Sequence, residues 1–442
     1  MKIYGLDSKE TSMLLRDGRI TISVYGLGKM GLPLAAIFAD SGAIVIGADI
    51  NRNVVDSVNR GINYIREEPY LDELVAKNVK DKRLTATTDL VYAAKKSDIQ
   101  IIIVPTLIKD NEVDISAVNS VAGKISKGLE NGDIVITECT MPPGSTESLI
   151  PILEKSNLKA GIDFGLAHCP ERTMTGTAIR DIRGEYPKIV GCIDKKTTDA
   201  IKGIYSVINS KGVITVSNIK TAECVKVFEG IYRDVNIALA NELTEICEKF
   251  SVSAVEAFKT ANTQPYCHIH SPGAVGGHCI PVYPYFVMNS KTKLIRYARE
   301  INDSISEKLV NKALELLERS GRGIENANIL VLGLSFRGGV KETINSPPLR
   351  IFSLLKSKNA NIYCYDPLYS KDEIESFDVE YKDNFENIDC IIISTDHSEF
   401  RNLNWKEIAS KMSTRIIIDG RQIVNPSQVR KFGFVCYSLG FI

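Results

Sequence analysis

The stretch Ile22–Ser23–Val24–Tyr25–Gly26–Leu27–Gly28–Lys29–Met30–Gly31 restricts this chain more than any other. A short apolar run passes straight into G-x-G-x-x-G. Leu32–Ser41 then carries apolar residues at helical spacing, and Ala43–Ala48 reads as a second strand ending in Asp49. Strand, glycine turn, helix and strand make a βαβ unit. Its turn presents backbone N–H groups at the positive end of a helix, where a pyrophosphate can sit. Asp49 lies near the ~20-residue offset at which an acid binds a ribose 2′-hydroxyl. The same acid would repel a 2′-phosphate, so the expected cofactor is NAD. Its binding residues are then Gly26, Leu27, Gly28, Lys29, Met30, Gly31 and Asp49.

The α/β rhythm continues. Ile99–Val104, Asp133–Glu138, Phe164–Ala167, Lys188–Gly191 and Val213–Val216 read as strands. In a doubly wound sheet ligands bind beyond the carboxyl ends of the strands. Thr106 and Thr140, on loops at two such ends, are therefore expected to face a nicotinamide. Glu171, in Cys169–Pro170–Glu171–Arg172, would bring a carboxylate to the same edge; the alternative is a solvated loop acid.

From Thr221 to about Phe250 the spacing of Val225, Phe228, Tyr232, Val235, Leu239, Leu243 and Ile246 predicts a long helix. Its length would be roughly 45 Å at about 1.5 Å per residue. Lys226 stands between Val225 and Val227, an odd place for a fully solvated ammonium. Gly230, one turn on, is stranger still, because glycine inside a helix costs about 0.8–1 kcal/mol relative to alanine. Close approach of another group to that face is expected.

Pro272–Gly273–Ala274–Val275–Gly276–Gly277–His278–Cys279–Ile280–Pro281 can be neither helix nor central strand. A thiol held on such punctuation is a candidate nucleophile, though most cysteines simply pack as small hydrophobes. A second amphipathic helix, Lys293–Arg319, precedes another α/β unit with strands at Ala327–Leu332, Asn361–Tyr365, Cys390–Ser394 and Arg415–Asp419. Its first turn, Gly333–Gly339, lacks G-x-G-x-x-G and suits another nucleotide-like ligand. No sequence repeat is evident. The expected fold is α/β, with two Rossmann-like doubly wound domains joined by a long central helix. The segments are an extension over 1–20, an NAD-binding domain over 21–217, a central helical domain with the cysteine loop over 218–320, and a C-terminal domain over 321–442.

Composition narrows the partners. Lys plus Arg equals Asp plus Glu at 54 each, so no net field points to nucleic acid or an anionic membrane. The longest apolar run, Ile99–Leu107, is too short to span a bilayer. The first residues lack the apolar core of a signal peptide. The ten cysteines show no paired spacing, which predicts reduced thiols in a cytoplasm. Cys267, His268, His270, His278 and Cys279 are the densest potential zinc ligands, but their spacing matches no structural zinc site and no metal is expected.

A thiol beside a nicotinamide allows two successive oxidations. After an alcohol becomes an aldehyde, the thiolate can add to it, and the adduct can be oxidised to a thioester that water opens to an acid. Here the chain resembles the nucleotide-sugar 6-dehydrogenases, the UDP-glucose/GDP-mannose dehydrogenase family. The likeness runs along nearly all of it after residue 20, in Gly26–Gly31, Val104–Thr106, Thr140–Thr146, Cys169–Arg172, the Lys226 helix, Gly276–Cys279, Ala298–Asn302, Tyr365–Pro367 and Asp419–Arg421. Tyr232–Ala238 and Gly277–Ile280 look closest to the branch oxidising UDP-N-acetylhexosamines, UDP-N-acetyl-D-mannosamine in particular.

The resemblance implies Cys279 as nucleophile, Lys226 as oxyanion stabiliser, and Glu171 with Thr140 around the water and hydroxyl. It implies Arg172, Gly276, Gly277, His278 and Arg337 as substrate-binding residues, a C-terminal domain holding UDP, two NAD per sugar, and a homodimer or larger oligomer through the central helix. Three positions depart from the family pattern. Gly230 replaces an asparagine, Tyr283 replaces an aspartate, and Ile344 replaces a common arginine. Losing one oxyanion donor typically costs ~10²–10³ in rate. Either water, Asn241 or Tyr283 compensates, or the chain is slow or specialised. The competing readings are a UDP-N-acetylglucosamine or UDP-glucose 6-dehydrogenase, a two-electron 6-phosphogluconate-type dehydrogenase with Lys226 as base, and a nucleotide-binding protein whose catalysis has decayed.

Overall fold

A computed structural model describes residues 2–109 and 112–441. The chain divides into two compact units. The first comprises residues 1–228 with 285–287, and the second 229–284 with 288–442.

The first unit opens with helix α1, Ser8–Arg16, started by a capping box in which Asp7 accepts from the Glu10 N–H and Glu10 accepts from that of Asp7. Its strands are β1 (Thr21–Tyr25), β2 (Ile44–Ala48), β3 (Leu84–Thr87), β4 (Ile99–Ile102), the short pair β5 (Leu107–Lys109) and β6 (Glu112–Asp114), then β7 (Ile134–Thr137), β8 (Gly165–His168), β9 (Lys188–Cys192) and β10 (Val213–Thr215). The main sheet runs β10-β9-β8-β7-β4-β1-β2-β3. Six strands are parallel, while β9 joins β8 antiparallel. The central strands are mostly apolar because helices cover both faces of the main sheet, including α2 (Gly31–Asp40) and α3 (Lys195–Ile208). The order reverses between β1 and β4. That is the switch point, where a ligand crevice opens.

The second unit carries β11 (Asn328–Leu332), β12 (Asn361–Tyr365), β13 (Glu380–Tyr381), β14 (Cys390–Ile393), β15 (Ile416–Asp419) and β16 (Val435–Ser438), in the order β13-β12-β11-β14-β15-β16 and all parallel. Both sheets therefore share one strand order, and they share its stitching. Gly26 N–H donates to the Ala48 carbonyl and Gly333 N–H to that of Tyr365, each at 2.8 Å. Leu27 N–H donates to Asp49 at 2.8 Å and Leu334 N–H to Asp366 at 2.7 Å. Thr21 N–H reaches Asp98, and Asn328 N–H reaches Asp389, each at 2.8 Å. The structure holds a repeat that the sequence does not show.

The long helices form as their periodicity predicts. α4 spans Ile219–Lys249 and connects the two units; α5 spans Lys293–Arg319. The second unit locks them together with polar groups. Asp234 on α4 is fully buried and accepts from Arg299 and, at 2.8 Å, from Asn302, both on α5. Asn241 donates to Asn302 at 2.9 Å. Replacing Asp234 by alanine would leave the buried Arg299 guanidinium with only the exposed Asp303 as its partner, at about 1–3 kcal/mol. Asp234→Ala is expected to lower the urea midpoint of the second unit well below the parent's, and an unchanged midpoint would show the network to be incidental.

Candidate active site

Within the first unit the glycine turn is shaped for close approach. Gly26 has φ +94°, and a Cβ there would lie 2.6 Å from the Ile103 carbonyl oxygen. A Cβ on Gly31 would overlap the Gly26 carbonyl oxygen, whereas Gly28 faces open space. The turn thus packs tightly at both ends and is clear in the middle, which fits a pyrophosphate against backbone N–H groups. Asp49 is partly exposed; its oxygens accept from Leu27 and Asn51 N–H, each at 2.8 Å, leaving further lone pairs for a ribose hydroxyl. Tyr64 donates to the Leu27 carbonyl, Lys29 pairs with Glu67 at 3.7 Å, and Met30 Sδ accepts from the Thr173 hydroxyl at 2.8 Å.

Thr106 donates to the Thr140 carbonyl at 2.8 Å, joining the loops after β4 and β7. The Thr140 loop is held from below by Glu223 on α4, whose carboxylate takes the Gly144 N–H and, at 2.8 Å, the Thr146 N–H. Glu223 was not legible in sequence, because an acid on an amphipathic helix reads as solvated.

Glu171 is buried, not a solvated loop acid. It accepts from the backbone N–H of Arg172 and, at 2.7 Å, of Thr173, and lies 3.5 Å from the Lys188 ammonium. Burial alone would raise its pKa, but Lys188, the Thr173 N–H and Lys226 together hold it below the usual carboxylate range. Lys226 is itself buried. Glu171 and Lys226 thus act on one another electrostatically within this unit. Arg172 donates to the Pro187 carbonyl at 3.2 Å and stacks 4.9 Å from the Tyr186 ring centroid.

In the second unit the cysteine loop is hydrogen-bonded to loops of the C-terminal half. Gly277 N–H donates to the Ile344 carbonyl at 3.0 Å, and Asn345 returns a bond to the Gly277 carbonyl at 3.1 Å. Ile344, at the departing position, therefore serves through its backbone. A Cβ on Gly276 would lie 2.7 Å from both the Asn345 carbonyl oxygen and Phe336 Cβ. Arg421 braces Ser394, Phe336 and Ala274 carbonyls together. His278 pairs with Glu342, and the Arg337 guanidinium lies over the Phe336 ring. Asn241 grips Gly273 in both directions, at 2.8 and 3.2 Å, and bonds Asn302 besides. Its amide is committed there, so it is not the compensating oxyanion donor. Cys279 is partly exposed. Among the described residues no three metal-ligating side chains come together.

Two of the three departures are one packing event. A Cβ on Gly230 would overlap Cδ2 of Tyr283 and lie 3.1 Å from its Cγ. The Tyr283 N–H in turn donates to the Cys279 carbonyl at 3.0 Å. The ring occupies the space that a side chain at 230 would need, and ties the cysteine turn to α4. Helix propensity favours asparagine over glycine, yet overpacking costs about 1–3 kcal/mol. Gly230→Asn is expected to lower the thermal midpoint, and Gly230→Asn with Tyr283→Asp to restore it; a single variant as stable as the parent would disprove the wedge.

Three parts of the UDP-glucose/GDP-mannose dehydrogenase family match in order: its NAD binding domain over residues 20–209, its central domain over 220–304 and its UDP binding domain over 330–426. The chain is 37% identical over 426 residues to the UDP-N-acetyl-D-mannosamine dehydrogenase of Pyrococcus horikoshii, covering 95% of this chain and 99% of that one. The solved structure of the Pyrococcus horikoshii enzyme superimposes with a TM-score of 0.88 at 35% identity, again over 95% and 99% of the two chains. An NDP-N-acetyl-D-galactosaminuronic acid dehydrogenase from Ralstonia nicotianae is 33% identical over 420 residues, 91% of this chain and 95% of that one. With its glycine turn, acid and three matched domains in register, the chain belongs to the UDP-glucose/GDP-mannose dehydrogenase family.

Proposed function

We propose that this chain oxidises the C6 hydroxyl of a UDP-N-acetylhexosamine, UDP-N-acetyl-D-mannosamine first among them, to the carboxylate. The observation that carries the reading is Cys279: a partly exposed thiol on a glycine loop hydrogen-bonded to loops of the C-terminal half. Its likeness to enzymes named for UDP-N-acetyl-D-mannosamine supports the choice of sugar.

The backbone of Gly26–Gly31 would hold the NAD pyrophosphate and Asp49 its ribose, with Thr106 and Thr140 at the nicotinamide edge. NAD supplies the hydride acceptor, two equivalents per sugar. Once the alcohol has become an aldehyde, the Cys279 thiolate adds to the carbonyl carbon, and the Lys226 ammonium stabilises the oxyanion. Oxidation of this thiohemiacetal leaves a thioester. Glu171 takes a proton from the water that attacks it, and the carboxylate departs as the thiol is restored. Arg172, Gly276, Gly277, His278 and Arg337 line the sugar nucleotide.

The same helix that carries Lys226 exposes Phe228, Tyr232, Leu239 and Ile246 along one seam. Apolar residues seven apart on one face suit a second copy of the chain, which makes the enzyme a homodimer or a larger homo-oligomer. Its ten free thiols are in keeping with the cytoplasm, and among the described residues no helix is long and apolar enough to cross a membrane.

With NAD and UDP-N-acetyl-D-mannosamine, the protein is expected to release two NADH per sugar, and Cys279→Ser to stop after the first oxidation. One NADH per sugar in the parent would replace this route with a two-electron dehydrogenase. Tyr232→Glu combined with Ile246→Glu is expected to move the sedimenting species from dimer to monomer, and a persistent dimer would exclude that seam.

A further inference from the structure

Beneath the edge of the first sheet lies a group of charges that the chemistry above leaves unused. The Lys188 ammonium, at the start of β9, is 2.6 Å from Glu138 Oε2 at the end of β7 and 3.5 Å from Glu171 Oε2 beyond β8. Tyr205 on α3 donates its hydroxyl to the other oxygen of Glu138, and its ring lies 5.0 Å beneath the ammonium. Glu138 and Tyr205 are fully buried, and Lys188 is nearly so. A buried ammonium normally serves one carboxylate; this one faces two, and only one of them reaches the site.

We propose that Lys188 is a positioning residue for Glu171: a single buried positive charge divided between Glu138 and Glu171, whose share toward Glu171 keeps that side chain a carboxylate able to take a proton from water. This rests on the reading of Glu171 given above. The geometry sets the direction of each effect. Around Glu171 stand two cations, Lys188 and Lys226, the N–H groups of Arg172 and Thr173, and one competing anion, Glu138. Lys188 and Tyr205 each donate to one oxygen of Glu138, so both oxygens act as acceptors and the side chain competes for the Lys188 charge as a carboxylate.

The signs separate this role from a structural one. Removing the cation must make Glu171 easier to protonate; removing the competing anion must make it harder. In the holoenzyme, Lys188→Met is expected to move the acid limb of kcat/KM for UDP-N-acetyl-D-mannosamine upward by roughly one pH unit, a tenfold change in proton affinity. Glu138→Gln is expected to move it downward. Because Lys188→Met leaves Glu138 buried without its partner, the double variant Lys188→Met with Glu138→Gln keeps the site neutral, and its limb is expected to lie above the parent's. Limbs that stay in place in the double variant and in Glu138→Gln, while rates merely fall, would overturn the proposal. Glu171→Gln distinguishes the two levels: if it retains full turnover, the role of Glu171 itself is wrong, whereas an inactive Glu171→Gln with unmoved limbs elsewhere condemns only Lys188.

Discussion

Carboxylates that accept backbone N–H groups hold the working edges of this molecule. Asp49 and Asp366 fix the first turns of the two sheets, Glu223 fixes the Thr140 loop, and Asp419 takes the N–H of Arg421 and Val424. A loop meant to meet a ligand cannot be buried under apolar side chains and stay accessible. Charge-assisted hydrogen bonds from below give it a fixed shape and leave its upper surface free. The orphan N–H groups that such loops create are satisfied in the same stroke.

Apolar packing does the complementary work. Each sheet is sandwiched by helices whose buried Leu, Ile, Val and Phe side chains make the core, and the central strands are mostly apolar. Within this frame charged residues also remain buried, some at strand ends and some on the long helices. Glu138, Glu171 and Lys188 lie at the ends of three neighbouring strands, and Asp234 with Arg299 joins the two long helices.

The two sheets and both long helices were legible in the sequence because period and punctuation are local signals. Lys293–Arg319 and Asn361–Tyr365 fall where periodicity puts them, and the glycine turn announced its acid. The short strands Leu84–Thr87, Glu380–Tyr381 and Val435–Ser438 were not, since a few half-exposed residues on an edge carry no strong pattern. Cys279, Lys226 and Glu171 stood out by their odd neighbours. Lys188, Glu138, Tyr205 and Glu223 did not, because their meaning comes from partners as much as 79 positions away. Gly230 and Tyr283 each looked like a loss when read separately; only their contact shows that one requires the other.

The loop around Cys279 comes before α5 in the chain, yet its amide and carbonyl groups are spoken for by Ile344, Asn345, Arg421 and Gln422, all far downstream. Ownership by bonding and ownership by chain position therefore disagree. A hybrid enzyme that borrowed residues 330–442 from a cousin while keeping its own loop would inherit a thiol fitted to someone else's cradle. Evolution faces the same accounting, so the reactive sulfur and the nucleotide-holding half are expected to be handed down as one heirloom.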